Sequence, residues 1–188
     1  MWALIEDSEI VKIINNPKAM VIGDTRHSRN IFSFRWSNEE REAIGLYEIV
    51  FDNSNKRDEE YYTNTNQSFD FADGVATASF GSATAKELDD VTDEDDNVTD
   101  GLKTKHKRII KQQASGLLDK TDWYNHKALD DETFTIPANI TTYRANIRST
   151  SNTMETAIDN ASDVDALADL YVYTDGTRPL GEWPELEV

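Results

Sequence analysis

The chain has 188 residues, 19 basic against 36 acidic side chains for a formal charge of −17, 38% hydrophobic residues, no cysteine and three histidines. The lack of cysteine excludes disulfides, zinc–thiolate sites and a thiol nucleophile, and a charge this negative argues against nucleic acid or anionic membrane as a partner. The apolar fraction is thin for one well-filled core of this length, which points to two small units or to burial completed by a neighbour.

In chain order, residues 2–5 and 10–14 are apolar runs on either side of Glu6-Asp7-Ser8-Glu9, the pattern of a hairpin with a polar four-residue turn. Asn15-Asn16-Pro17 ends the second run. A strand at 19–22 is followed by a polar loop at 23–30, and residues 31–34 return to apolar character. Ser37 stands three residues before Glu40, a capping box for a short helix that Gly45 closes. Residues 46–51 resume as a strand, and 61–71 and 75–80 flank Asp73-Gly74, a dipeptide that favours tight hairpin turns. These elements predict a small β-rich domain over residues 1–86.

Residues 87–100, ELDDVTDEDDNVTD, hold eight acids in fourteen positions and read as an acidic, solvated linker or a helix lead-in. Charge changes there: residues 1–100 carry 9 basic and 22 acidic side chains, residues 101–188 carry 10 and 14. Asp93, Asp95 and Asn97 begin like an EF-hand calcium loop. Val98 and Thr104 then stand where the sharp-turn glycine and the bidentate glutamate belong, so no metal site is assigned.

Beyond the linker the period becomes helical. Leu102, His106, Ile109, Ile110, Gln113, Ala114, Leu117 and Leu118 form one stripe, with Asp100 as a candidate N-cap. A connector over 120–135 leads to Ile136-Pro137, suited to a first helical turn. Ile136, Ile140, Tyr143, Ile147, Ser151, Met154 and Ile158 then follow at steps of three and four, a three-heptad a/d seam. Ser162 or Asp163 caps a short third helix with Val164, Leu167 and Leu170 inward, and residues 174–188 form an irregular tail. The expected fold class is α+β: a β-rich N-terminal domain, an acidic linker, then a helical hairpin with a short third helix over 101–173.

The residues do not assemble into a recognisable catalytic constellation. His27, His106 and His126 are isolated, and the chain has no HExxH, GxSxG or Walker-type sequence, so no catalytic, cofactor-binding or metal-ligating residue is assigned. Two basic patches occur, TRHSR at 25–29 and KTKHKRIIK at 103–111. The second adjoins the acidic run, which favours charge compensation within the chain or across a subunit contact. Trp2 and Trp36 belong with the N-terminal core and Trp123 with the turn between helices. Trp183, in an irregular tail, must dock on its own chain or on a neighbour. No stretch reaches the ~20 apolar residues of a membrane-crossing helix, and the opening MWALIEDSEIVKI lacks the basic start and long apolar run of a signal peptide, so a soluble protein made in the cytoplasm is expected.

Leu117-Leu118-Asp119-Lys120-Thr121-Asp122-Trp123, followed by Ile136-Pro137, Tyr143-Arg144 and Ile147-Arg148, resembles the LL-x-x-TDW … IP … YR-x-x-(I/L)R pattern of the tail assembly chaperone and tail-fibre-assembly-like proteins of bacteriophages, over roughly residues 102–160. The first fifty residues look like the short β-rich units that precede that hairpin. Physically, Thr121 or Asp122 turns the chain and Trp123 is expected as a wedge between antiparallel helices. Arg144 and Arg148 lie on one face, within reach of Asp119, Asp122 or Asp130. The resemblance implies a non-enzymatic tail or tail-fibre protein of the virion with an adaptor or attachment role, made in the host bacterial cytoplasm. The alternative it allows is an assembly chaperone absent from the finished particle. Implied partners are other phage tail or fibre proteins and further copies of the chain, without cofactor, nucleic acid or membrane. Ile140, Tyr143, Ile147, Met154 and Ile158 are the candidate seam for such association. The same stripe serves equally to pack against the helix at 102–118.

Overall fold

In a computed structural model that describes residues 1–186, the chain divides into two units, the first Met1–Thr84 and the second beginning at Ala85. The opening hairpin turns on two residues instead of four. Asp7 and Ser8 both take positive φ, 51° and 65°, a geometry that follows the twist of the flanking strands, so β1 (Trp2–Glu6) and β2 (Glu9–Ile14) run on through the acids. The strand expected at 19–22 is β3 (Met20–Ile22), and the segment expected as a polar loop supplies its hairpin partner β4 (Thr25–His27), followed by a 3-10 turn at Arg29–Phe32. Helix α1 (Asn38–Glu42) starts at the expected capping box: Ser37 Oγ accepts from the Glu40 N–H, and Glu40 Oε2 accepts from the Ser37 N–H at 2.8 Å. β5 (Leu46–Asp52), β6 (Tyr62–Thr63), β7 (Gln67–Ala72) and β8 (Val75–Phe80) follow, the last two joined by Asp73-Gly74 at φ 51° and 78°.

Five of these strands form one sheet in the order β2-β1-β5-β8-β7, antiparallel except for β5 beside β8. Strand alternation sends Trp2 and Leu4 to a cluster with Ile14, Ile31 and Leu46, and Ala3 and Ile5 to another with Ile49, Ala76 and Ala78. β1 is thus covered on both faces, which explains its unbroken apolar run. The β1–β2 register shifts between Leu4 and Ile5, where the Ile5 N–H turns to the Gly45 carbonyl at 2.7 Å. A side chain at Gly45, whose φ is 76°, would place its Cβ 2.5 Å from the Ile5 oxygen, so this position requires glycine.

In the second unit, residues 87–100 are solvated and lead into the helix as expected, but they are ordered by a hairpin that the linker reading did not include. The segment is exposed almost throughout, yet it is folded. After β9 (Thr84–Ala85), β10 (Val91–Thr92) pairs with β11 (Val98–Thr99) across a turn closed by Asp93 Oδ1, which accepts from the Asp95 and Asn97 N–H groups at 2.9 Å. The Glu87 and Leu88 carbonyls take the Leu102 and Lys103 N–H groups, and Asp90 takes that of Gly101. These satisfy the orphan donors of α2 (Leu102–Asp119) from outside the helix. Gly101, not Asp100, is therefore the N-cap residue, and a Cβ there would collide with the Asp89 and Leu88 backbone.

The connector expected over 120–135 holds helix α3 (Asp122–Asp130). α4 (Ala138–Asp159) packs on α2, and α5 (Val164–Asp169) starts at Asp163, whose carboxylate accepts from the Ala166 N–H at 2.8 Å. Ile140, Tyr143, Ile147, Met154 and Ile158 are buried inside this unit, with Leu102, Ile110 and Ala114 of α2 and Leu167 of α5 also in its interior. The seam offered for association is thus the unit's own core and presents no face to a neighbour. Together the β-rich first half and the helical second half make an α+β fold.

Candidate functional site

The motif residues meet where α2 ends. The last carbonyls of a helix lack intrahelical donors and carry the negative end of its dipole. Here Arg144 of α4 supplies both donor and charge: its Nη1 donates to the Leu118 carbonyl at 2.8 Å and to Thr121 Oγ1 at 2.7 Å, and its Nη2 pairs with Asp122 Oδ1 at 2.7 Å. Thr121 is buried and donates its own hydroxyl to the Leu118 carbonyl at 3.0 Å. The spacing from Leu118 through Thr121-Asp122 to Arg144 is the sequence trace of this latch. Arg148, expected to share the acids, instead sends Nη1 back to the Arg144 carbonyl at 3.4 Å.

Because Thr121 and Arg144 fill the inside of the corner, Trp123 is turned outward. It is 52% exposed and is not the wedge expected from the sequence. Its ring lies 3.8 Å from that of Tyr124, which in turn stacks on Phe134 at 24° between planes, with the Lys127 ammonium 4.3 Å above Phe134. Trp183 folds back onto its own unit: it packs beside Ala114, Tyr143, Ile147, Leu117 and Leu118, and its Nε1 donates to Gln113 Oε1 at 3.0 Å. Between Trp123 and Trp183 an open groove of ≈ 510 Å³ is lined by Leu117, Lys120, Tyr124 and Tyr143. Its walls combine aromatic and aliphatic side chains with the polar groups of Lys120, Thr121 and Glu185, so the surface is mixed in character.

The remaining candidates have structural duties. His106 is buried with Nδ1 2.8 Å from the Tyr171 hydroxyl, and His27 lies edge-on to Trp36. Asp93, which resembles the start of a calcium loop, spends its carboxylate on the hairpin turn, and the Asn97 N–H holds it below the usual carboxylate range. The basic stripe of α2 is compensated within the unit: Lys103 meets Asp89, Lys107 meets Asp159, Arg108 meets Asp100 and Lys111 meets Glu155. In the first unit a ≈ 310 Å³ cavity is bordered by Trp2, Glu42 and Glu48, and by Arg41, which sequence reasoning passed over. The buried Arg41 guanidinium donates to the Ile31 and Ser33 carbonyls at 2.9 and 2.6 Å and to Asn38 Oδ1 at 2.8 Å, which commits three of its five N–H groups to the fold. Among the described residues no group of three His, Asp or Glu side chains is placed to hold a metal ion, and no helix is long and apolar enough to cross a membrane.

No family model, curated protein or solved structure matches the chain. Of the motif residues, Leu117, Thr121 and Trp123 line the groove at the α2–α3 corner, and Arg144 ties Leu118, Thr121 and Asp122 together beside it.

Proposed function

We propose that the chain is a non-enzymatic protein of a bacteriophage tail or tail-fibre apparatus, acting in the virion as an adaptor that meets other tail or fibre proteins through the corner groove. One observation carries this reading: the residues of the LL-x-x-TDW … YR-x-x-IR pattern build a rigid corner whose conspicuous product is an exposed aromatic surface, with Trp123 half open to solvent. Interface hot spots are enriched in tryptophan, tyrosine and arginine on well-supported surfaces.

Mass spectrometry of purified particles tests the proposal. A virion component is present at fixed copy number beside the tail proteins. A chain abundant in infected cells and missing from particles is instead an assembly chaperone. Trp123→Ala with Tyr124→Ala should abolish incorporation while the far-ultraviolet circular dichroism stays unchanged. Incorporation at the normal copy number would show that the groove is not the contact.

A further inference from the structure

Residues 10–37 of the first unit contain five basic side chains, Lys12, Lys18, Arg26, Arg29 and Arg35, and one acid, Asp24, in a chain whose total is −17. Their surroundings set them apart from the cations of α2. Arg26, Arg29 and Arg35 are all exposed, and among the described residues their guanidinium groups make no hydrogen bond or ion pair. Between them stands Phe34, 94% exposed.

This display is built, not frayed. Met20, Ile22, Phe32 and Trp36 pack inward on the core, which sends Val21 and its cross-strand partner Arg26 outward on the other face of the β3–β4 hairpin. The Trp36 N–H closes a turn on the Ser33 carbonyl at 3.2 Å, which leaves Phe34 and Arg35 at its two corners. Buried Arg41 clamps the same Ser33 carbonyl from behind. The backbone that carries Phe34 is therefore held in place before any partner arrives, which lowers the ordering cost of a contact there.

A complementary surface exists in the same molecule's second unit. At the tip of the β10–β11 hairpin Glu94, Asp95 and Asp96 are exposed, and among the described residues their carboxylates have no ion-pair partner. Val98, 62% exposed, stands two residues beyond that tip. We propose that copies of the chain associate through these two surfaces: Arg26, Arg29 and Arg35 of one copy receive Glu94 and Asp95 of a second, while Phe34 lies against Val98. Each surface meets a different one, so the contact is heterologous and propagates into a ring or a row. The net repulsion between two acidic molecules acts over distance and is screened beyond about 10 Å at about 0.1 M salt, whereas the paired groups meet at close range. The inference is independent of the tail reading.

The test is the mass of the full chain by light scattering and sedimentation across a concentration series at about 0.1 M salt. Wild type should gain mass with concentration and lose that gain in high salt. Arg26→Glu/Arg29→Glu/Arg35→Glu should stay monomeric, as should Glu94→Lys/Asp95→Lys, which leaves Asp96 at its φ of 60° in place. An equimolar mixture of the two reversed proteins should regain association, because each now carries the surface the other lacks. Phe34→Ala should weaken association at least about tenfold, the loss expected for a buried aromatic contact. Circular dichroism verifies the fold of each variant, and Arg→Gln at the three positions stands in for the reversal if that perturbs it. A wild type that remains monomeric, association unaffected by both reversals, or a mixture that fails to regain it overturns the proposal.

Discussion

Arg144→Met removes the latch at the α2 corner while keeping most of the buried stem, and its cost can be worked from the bonds it loses. The Leu118 carbonyl retains the Thr121 hydroxyl as donor, so it is not orphaned. Thr121 Oγ1 loses its charged donor in a buried site. Asp122, with 42% of its side chain exposed, returns to water, and that part of the pair contributes only ~0–1 kcal/mol. Hydrogen bonds to a charged group contribute ~1.5–3 kcal/mol each, and the two made by Nη1 go to acceptors that are themselves hydrogen-bonded to each other, so they do not add fully. The expected loss is about 3 kcal/mol for Arg144→Met, rising by about 2 kcal/mol for Arg144→Ala as the methionine γ-methylene, sulfur and methyl go. Urea unfolding followed at 222 nm reports the second unit, where the long helices lie. With a slope of about 1.5 kcal/mol/M the midpoint should fall by about 2 M. Asp122→Asn should cost no more than about 1 kcal/mol. A midpoint for Arg144→Met within error of wild type, or an equal loss from Asp122→Asn, would refute the latch.

Four further outcomes are expected. Ile147→Asp, a charge placed where no side-chain surface reaches solvent, should abolish the helical signal and not yield a folded monomer. Gly45→Ala should cost about 2–3 kcal/mol and lower the first unit's melting temperature by about 10 °C, read by thermal shift, because its φ is 76° and its Cβ meets the Ile5 oxygen. Trp183→Ala should destabilise the second unit by about 2 kcal/mol in the same urea assay, whereas Trp123→Ala should stay within about 0.5 kcal/mol and act only on partner binding. Backbone N–H groups of Gly101, Asn97 and Ala166 hold the Asp90, Asp93 and Asp163 carboxyls below their usual range. The unfolded chain therefore binds protons the more tightly, and the stabilisation present above the ordinary carboxylate value of about 3.9 fades as pH falls through and below it. Asp163→Asn, which keeps a capping oxygen but cannot ionise, should flatten the acid limb of the urea midpoint against pH.

What could be read in advance follows the range of the forces involved. The capping box of α1 and the Asp73-Gly74 turn each contain their causes within four residues, and both stand as expected. The α4 seam shows its period because one stripe is buried along 22 residues. α3 buries no residue fully, so it carries no apolar period to find, and its start is set by the corner that Arg144 makes from another helix. The acidic segment misled for a related reason. Its composition rules out a core of its own, but side-chain closure by Asp93 and the carbonyls given to α2 require none.

The groove was not legible in the sequence, and the basic patch at 25–29 was legible only as composition, for a different cause. The a/d periodicity of Ile140 through Ile158 states that something apolar covers the stripe, and only the packing shows that α2 of the same chain does so. Conversely, Trp123 and Phe34 look like core residues by type and are displayed outward because buried arginines secure the backbone behind them, Arg144 at Leu118 and Arg41 at Ser33. A composition count weighs the α2 stripe as the stronger basic feature, with five cations in nine residues. Four of those five are already answered by carboxylates of their own unit, so the stripe has little left for a partner. The sparser arginines around Phe34 are the ones without such answers, and the unpaired charge, not the dense one, marks the surface from which assembly is expected.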